Sequence, residues 1–169
     1  MGYTHYTKTD NWDKQDELGW EKAIKIVRKI LKKYANVVQF EFDDDKKPVC
    51  TKKMIRFNGI GDDGHETFIL LNAEHQSNFD YNSTFSFCKT ARKPYDIVVC
   101  EVLLAVNALC PHLSISSDGF SGYLKTKEID GEWQNAIDNV KEYGINYHVE
   151  VTEEREPYCD MEPILDSVV

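Results

Sequence analysis

The sequence predicts a single-domain α+β fold, in which a largely antiparallel sheet is covered by one buried helix and two amphipathic helices. Two segments repeat apolar residues at helical spacing, a third is apolar nearly all round, and short alternating segments are separated by turn residues. With 169 residues, 41% of them hydrophobic, the chain can bury one ordinary core. We therefore predict one domain over residues 1–152 and an acidic tail over residues 153–169.

The first predicted elements are a strand and a basic amphipathic helix. Residues Gly2–Lys8 alternate and are rich in aromatic residues and threonine, which favours a strand. Between Asp16 and Tyr34, apolar residues recur every three or four positions, which predicts a helix. Its other face carries the densest basic segment of the chain, although a solvated face is the ordinary interpretation of such a surface. These basic residues are Lys22, Lys25, Arg28, Lys29, Lys32 and Lys33.

The middle of the chain is predicted to form strands. Val37–Phe42 is the first of them. The segments Met54–Asn58 and His65–Asn72 flank the glycine-containing turn G-I-G-D-D-G, which is typical of a β-hairpin. After a polar loop, Thr84–Cys88 forms a further short strand.

A buried helix is predicted over Ile97–Leu109, because this segment is apolar except for Glu101 and one asparagine. Pro94 suits its first turn, and Asp96 is favourably placed near its positive end. A buried carboxylate is costly unless it is paired, so we expect an ion pair for Glu101. The candidate partners are Arg56, Arg92 and Lys93.

The last third of the chain is predicted to add two strands and a helix. Leu113–Ser116 forms a strand that runs into an S-D-G turn, and Trp133–Tyr143 has the spacing of a helix closed by Gly144. Tyr147–Val151 is a further strand. The acidic residues and prolines that follow predict a loosely held tail.

Composition limits the classes of function. A net charge of −9 and a pI near 5.0 disfavour sequence-independent binding to nucleic acid, although a local basic patch is compatible with them. The sequence has no apolar run of about 18 residues and no secretion signal, so we expect a protein without a membrane partner, located in the cytoplasm. The five cysteines are spread out without a C-x-x-C pair. We therefore predict reduced thiols, no cofactor and no metal site.

Three cations directly before the buried helix form the main candidate site. Lys89, Arg92 and Lys93, with Thr90 between them, precede a helix start, where backbone amides and the helix dipole favour an anion. The pattern predicts binding of a phosphate or carboxylate group. The alternative is a charged connection whose cations pair with Asp96, with Glu101 or with the acidic tail. The segment lacks the G-x-x-x-x-G-K-[ST] pattern, and Pro94 removes one of the amides that such a loop would use.

Further candidate residues lie at predicted strand ends. Tyr3, His5 and Tyr6 have ring systems suited to stacking on a base, although isolated residues of this kind more often pack within a sheet. Ser117 and Asp118 end a strand in a position that suits either a pocket mouth or a structural turn. We predict that six of the candidates share one concave site. They are His5, His65, Lys89, Arg92, Lys93 and Asp118.

Five sequence blocks carry a resemblance. They are M-G-Y-T-H-Y at 1–6, F-N-G at 57–59, G-H-E-T-F at 64–68, F-C-K-T-A-R-K-P-Y-D at 87–96 and S-S-D-G at 116–119. Together they resemble a family of small uncharacterised proteins of bacteriophages and prophages. The resemblance implies a viral accessory protein in the cytoplasm of the bacterial host cell, and it supplies no catalytic residue.

Three functions are compatible with these patterns. The first is sequestration of a phosphorylated or nucleotide-like small molecule, such as a host defence signal. The second is inhibition of a host protein through an acidic surface. The third is a small hydrolase that uses His65, Glu66 or Asp118, although His65 and Glu66 are adjacent and point to opposite faces of a strand. The sequence shows no complete catalytic motif, which favours the first function, and it is compatible with a homo-oligomer.

Overall fold

The computed structural model describes residues 2–75, 83–120, 129–150 and 160–165. Within these ranges every strand pairing is antiparallel, and the predicted single-domain α+β fold is confirmed. The helices are α1 (Lys14–Lys33), α2 (Asp96–Leu109) and α3 (Gly131–Val140). The strands are β1 (Thr4–Asp10), β2 (Val38–Gln39), β3 (Val49–Cys50), β4 (Met54–Gly59), β5 (Phe68–Leu71), β6 (Ser83–Lys89), β7 (Leu113–Ser117), β8 (Ile145–Glu150) and β9 (Asp160–Leu165).

The strands form three groups. In the main sheet the order is β6-β1-β7, so β1 is central. A second sheet has the order β2-β4-β3, with β5 also paired to β4, and β8 pairs with β9. In the main sheet Tyr6 lies opposite Phe87 on one side and Ser116 on the other, whereas His5 lies opposite Cys88 and Ser117. Even-numbered positions of β1 therefore share one face of the sheet, and odd-numbered positions share the other.

Helix α2 forms the centre of the core, as the sequence predicts. Its apolar residues from Val98 to Val106 are fully buried. The helix packs against α1, α3 and β7, and the hydroxyl of Tyr147 donates a hydrogen bond to the carbonyl of Leu104 at 2.7 Å. None of the helices among the described residues is long and apolar enough to cross a membrane.

Helix α1 begins with a capping box that also ties it to β7. The side chain of Asp13 accepts hydrogen bonds from the backbone of Gln15 and Asp16, while Asp16 accepts one from the backbone of Asp13. Asp16 also accepts hydrogen bonds from His112, at 3.0 Å from the backbone nitrogen and 2.7 Å from Nδ1. One buried carboxylate thus satisfies donors of the helix start and of the segment before β7.

The expected ion pair of Glu101 is wrong. Its Oε1 atom accepts hydrogen bonds from the hydroxyl of Tyr34 and from Nδ2 of Asn139, both at 2.7 Å. The candidate cations are engaged elsewhere: the guanidinium of Arg56 pairs with Glu41. Neutral donors from α3 and from the end of α1 therefore bind one oxygen of this carboxylate, while Oε2 is buried without a hydrogen-bond partner among the described residues. The spacing along α2 could not identify these donors.

Three other segments differ from the sequence prediction. Of the strand expected over His65–Asn72, Phe68–Leu71 forms β5, because the side chain of Asn58 binds the backbone of His65 and the hydroxyl of Thr67 before the strand begins. Of the strand expected over Val37–Phe42, Val38–Gln39 forms β2, because Asp44 and Lys46 then turn the chain back on itself. Within the range predicted as an acidic tail, Asp160–Leu165 forms β9. Its pairing with β8 satisfies backbone donors and acceptors of both strands. The rest of that tail lies outside the described residues.

Candidate functional site

A buried polar network lies between the inner face of β1 and the start of α2. Nε2 of His5 is 2.7 Å from Oδ1 of Asp96, and Nδ1 of His5 is 2.9 Å from Oγ of Ser117. The hydroxyl of Thr90 donates a hydrogen bond to the same oxygen of Asp96. All four residues are buried. The network therefore connects β1, β7 and the start of α2.

Ser117 determines which nitrogen of His5 carries the hydrogen. Its Oγ atom accepts hydrogen bonds from Nε1 of Trp133 at 2.9 Å and from the backbone nitrogen of Gly119 at 3.0 Å. With both acceptor positions used, the hydroxyl hydrogen is left for His5. Nδ1 of His5 therefore accepts, and Nε2 donates to Asp96.

The same network contains the donor set of a metal site. His5, Asp96 and Cys100 place one donor atom each within 4.8 Å of one another, and Oδ2 of Asp96 is buried without a hydrogen-bond partner among the described residues. Two features oppose a bound ion. The hydrogen on Nε2 of His5 occupies the position of the lone pair that would bind it, and burial raises the pKa of the Cys100 thiol well above its ordinary value. We interpret this cluster as a structural network.

A second group of possible metal ligands consists of Asp13, Asp16 and His112. The two carboxylates form the capping box of α1, and Nδ1 of His112 lies 2.7 Å from Asp16 and 3.9 Å from Asp13. Hydrogen bonding within the chain explains this arrangement, so it supports no metal proposal.

The positive end of α2 already faces a carboxylate of the chain itself. Asp96 is the first residue of α2, and its side chain is buried and bonded to His5 and Thr90. A carboxylate at this end is favoured by the helix dipole. An external anion bound at the helix start would have to compete with this internal one, which weakens the support for the predicted phosphate site.

The three predicted cations point to different partners. Arg92 lies 3.8 Å above the ring of Tyr3 and 3.2 Å from Oδ2 of Asp130, and Nζ of Lys93 donates to the carbonyl of Asp62 at 2.9 Å. Nζ of Lys89 lies 5.8 Å from the centroid of the Phe87 ring. Arg92 and Lys93 thus bind oxygens of Asp130 and Asp62, whereas Asp96 and Glu101, the partners expected in the alternative interpretation, bind other groups.

The turn that carries Arg92 has an unusual backbone. Ala91 and Arg92 both have positive φ angles, 50° and 54° respectively, and Lys93 donates a backbone hydrogen bond to Thr90 at 3.0 Å. Two consecutive left-handed residues that are not glycine are unfavourable. The stacking of Arg92 on Tyr3, together with the bond between Thr90 and Asp96, holds the turn in place.

The other predicted site residues take part in strand ends. Nδ1 of His65 lies 3.0 Å from the carbonyl oxygen of Lys89, so these two residues are adjacent. Oδ2 of Asp118 accepts a hydrogen bond from the backbone nitrogen of Thr4 at 2.9 Å, which closes the end of the β1–β7 ladder. The hydroxyl of Tyr3 donates a hydrogen bond to the carboxylate of Asp130. Burial, and to a lesser extent this carboxylate, raises the pKa of the Tyr3 hydroxyl far above its ordinary value.

The predicted residues therefore divide between two sides of the main sheet. The side chains on the inner side, around the start of α2, are those of Tyr3, His5, Thr90, Arg92 and Ser117. The outer side carries Tyr6 and Lys89. Strand alternation therefore separates the side chains of Tyr6 and Lys89 from those around the start of α2.

The outer face of the main sheet carries a group of aromatic rings that we call the aromatic face, made up of Tyr6, Phe85 and Phe87. The rings of Tyr6 and Phe85 are stacked with centroids 6.1 Å apart and an interplanar angle of 27°, and those of Phe85 and Phe87 are 6.3 Å apart. Phe85 is 65% exposed and Phe87 is 53% exposed. Large apolar rings that remain accessible together are typical of a binding surface.

A cleft of about 160 Å³ adjoins the aromatic face, between β5 and β6. The two strands approach each other where the backbone of Glu66 donates to Lys89 at 3.3 Å. Farther along, β5 pairs with β4 and β6 pairs with β1, and the space between them is open. Its lining includes Ile69, Leu71 and Phe85. The volume is below the 300–1,000 Å³ typical of ligand pockets, so the cleft suits one ring or one apolar side chain.

The sequence predicted Tyr6 and Lys89 as site residues and missed Phe85 and Phe87. The alternation in T-F-S-F-C-K at 84–89 puts both phenylalanines on one face of the strand, and it is visible in the sequence. The pattern cannot tell which face is covered by the helices. Comparisons with protein-family models, curated proteins and solved structures found no match for the chain.

Proposed function

We propose that this protein binds a nucleotide-like small molecule on the aromatic face of its main sheet. The observation that carries the proposal is the ring group of half-buried Tyr6 and exposed Phe85 and Phe87, with the ammonium group of Lys89 beside Phe87. Any nucleic-acid base can stack on an exposed aromatic ring, and an adjacent cation can bind the phosphate group of the same nucleotide. The base would lie on the rings, and the phosphate would contact Lys89.

The charges around the aromatic face single out Lys89 for the phosphate. Nζ of Lys8 lies 2.8 Å from Asp10, so its charge is partly compensated. Lys89 has no ion pair among the residues that the structure describes. On β7, Ser114 and Ser116 lie opposite Lys8 and Tyr6, and their short side chains leave that side of the rings open.

Binding without catalysis has the better support. The grouping of His5, Asp96 and Ser117 resembles a set of proton-transfer groups, but all three are buried, and Ser117 already accepts two hydrogen bonds. The setting, a viral accessory protein that sequesters a host signal, rests on the sequence resemblance alone.

Isothermal titration calorimetry with AMP, ATP and a matched sugar phosphate tests the proposal. We expect both nucleotides to bind, and ribose 5-phosphate to bind more weakly, because stacking of one base contributes about 1–3 kcal/mol. Phe87→Ala should weaken nucleotide binding by a similar free energy. Lys89→Ala should weaken AMP binding about tenfold or more while affecting adenosine little, since a hydrogen bond to a charged group contributes about 1.5–3 kcal/mol.

Phe42→Ala is the matched control, because Phe42 is 47% exposed and lies outside the aromatic face. It should leave the affinity unchanged. Arg92→Ala separates the two candidate sites. If this variant abolishes nucleotide binding while Phe87→Ala does not, the ligand binds at the start of α2 and the proposal is wrong. It is also wrong if no nucleotide binds, or if the aromatic face is covered in a dimer in solution.

A further inference from the structure

The exposed side of α1 carries a row of lysines with no acidic residue among them. At 100° per residue, six lysines fall within an arc of about 100° around the helix axis, and all of them are exposed. Gln15 and Leu18 are the other residues of this arc. We call the six the lysine row: Lys14, Lys22, Lys25, Lys29, Lys32 and Lys33.

Intramolecular partners leave most of this charge uncompensated. Lys33 lies 3.1 Å from Glu142. The acidic side chains of α1 that are nearest to the row face other partners: Glu21 pairs with Lys52 at 3.0 Å, and Glu17 accepts a hydrogen bond from Trp12. Within the described part of the chain, the other five lysines form no ion pair. The row is therefore a local positive surface on a protein whose net charge is −9.

The spacing of the row is unfavourable for the helix itself. Lys25 is three residues from Lys22 and four from Lys29, and Lys29 is three residues from Lys32. Like charges at these spacings destabilise a helix, whereas alternating glutamate and lysine would stabilise it. The row thus lowers the stability of α1, and an anionic partner outside the chain would reverse that effect.

We propose that the lysine row binds the phosphate backbone of duplex DNA without sequence preference. Helix α1 has 20 residues and is about 30 Å long, with a lysine on this face at almost every turn. Duplex DNA presents one negative charge per about 1.7 Å of its axis, so each ammonium group can reach a phosphate. Repulsion from the acidic remainder of the protein is screened over about 10 Å at 0.1 M salt. This surface shares no residue with the aromatic face, so the inference goes beyond the proposed function.

Fluorescence anisotropy of a labelled duplex of about 20 base pairs, measured at several salt concentrations, tests the proposal. We expect binding at about 0.1 M salt, the lowest concentration of the series and the low-salt condition below, with an affinity that falls linearly with salt on logarithmic axes. The quadruple variant K22Q/K25Q/K29Q/K32Q should lower the magnitude of that slope by about 3–4, since each phosphate contact contributes about 0.9. Its affinity at low salt should fall at least about tenfold.

A second quadruple variant, K8Q/K46Q/K47Q/K53Q, removes the same number of positive charges outside the row and keeps Lys52, which pairs with Glu21 beside the row. It should keep the slope of the unmodified protein, because the effect depends on the row and not on net charge. Circular dichroism checks that both variants remain folded. Absence of DNA binding at low salt, or equal losses in the two folded variants, would overturn the proposal.

Discussion

Nε2 of His5 donates a hydrogen bond of 2.7 Å to Oδ1 of Asp96, which joins the central strand of the main sheet to the first residue of the buried helix. Both residues are about 1% exposed. The neutral donors Thr90 and Trp133 complete the network on its two sides. The bond places the main sheet relative to α2, and the stability of the fold should depend on it.

His5→Ala should destabilise the protein by about 1.5–3 kcal/mol, the range for a hydrogen bond from a neutral donor to a charged group. The reason is that Asp96 stays buried after losing its partner. Urea denaturation followed by circular dichroism measures the change. Ser114→Ala, at an exposed position of the same sheet, is the control and should change the stability by less than about 0.5 kcal/mol. A loss below about 1 kcal/mol for His5→Ala would show that the network matters little.

Addition of Co²⁺ tests whether the same network is a metal site. If Nε2 of His5 carries its hydrogen toward Asp96 and the Cys100 thiol stays protonated, cobalt should not bind there. We expect no thiolate-to-cobalt absorption band when the folded protein is titrated with Co²⁺. A band that appears in the unmodified protein and disappears in Cys100→Ser would refute this prediction.

The sequence predicted the helices well, but it could not show which distant residues would come into contact. Apolar spacing locates α1 and α2, because burial of one face or of all faces leaves a periodic pattern. The network at His5 involves residues far apart in the chain, and no local pattern records which of them meet. The sequence likewise could not predict that Phe87 is exposed, because strand alternation assigns residues to two faces without showing which face the helices cover.

Leu103→Ala should destabilise the protein by about 2–5 kcal/mol, since the side chain is fully buried in α2 and its loss leaves a cavity. Thermal and chemical denaturation both measure this change. Leu18→Ala is the matched control, because Leu18 is 56% exposed and should cost less than about 0.5 kcal/mol. Equal effects of the two substitutions would contradict the central position of α2.

The pair of His112 and Asp16 should make stability depend on pH. The hydrogen bond to Asp16 raises the pKa of His112 above its ordinary value. The contribution of His112 to the free energy of unfolding is therefore fully present below about pH 6.5, and it is lost as the pH rises through the raised pKa. Burial opposes ionisation of Asp16, but hydrogen bonds from His112 and Asp13 outweigh it and lower its pKa. The contribution of Asp16 to the free energy of unfolding is present above about pH 4, and it is lost as the pH falls through the lowered pKa.

His112→Gln tests this dependence. The free energy of unfolding of the unmodified protein should exceed that of the variant most clearly between about pH 4 and pH 6.5, and the difference should shrink at higher pH. Urea titrations at several pH values measure it. A difference that grows above pH 7 would contradict the assignment of the pair.

Gly119→Ala should destabilise the protein, because Gly119 packs against the partners that hold the turn after β7. A Cβ atom there would overlap the hydroxyl of Tyr3 and would lie 2.6 Å from both Oδ2 of Asp130 and Cδ1 of Trp133. The hydroxyl of Tyr3 donates to Asp130, and the indole of Trp133 donates to Ser117, so none of these groups can move freely. Overpacking of this kind costs about 1–3 kcal/mol.

Gly131→Ala provides the matched control, since no atom lies within 4 Å of a Cβ built at that position. Gly131 is the first residue of α3 and does not have a positive φ angle, so alanine should stabilise the protein by about 0.4–1 kcal/mol, chiefly by restricting the unfolded chain. We therefore expect opposite signs for the two glycine substitutions in the same denaturation experiment. If Gly119→Ala left the stability unchanged, the contact between the turn after β7 and Tyr3 would be looser than the structure indicates, and Tyr3 could not be what holds Arg92 in its strained turn.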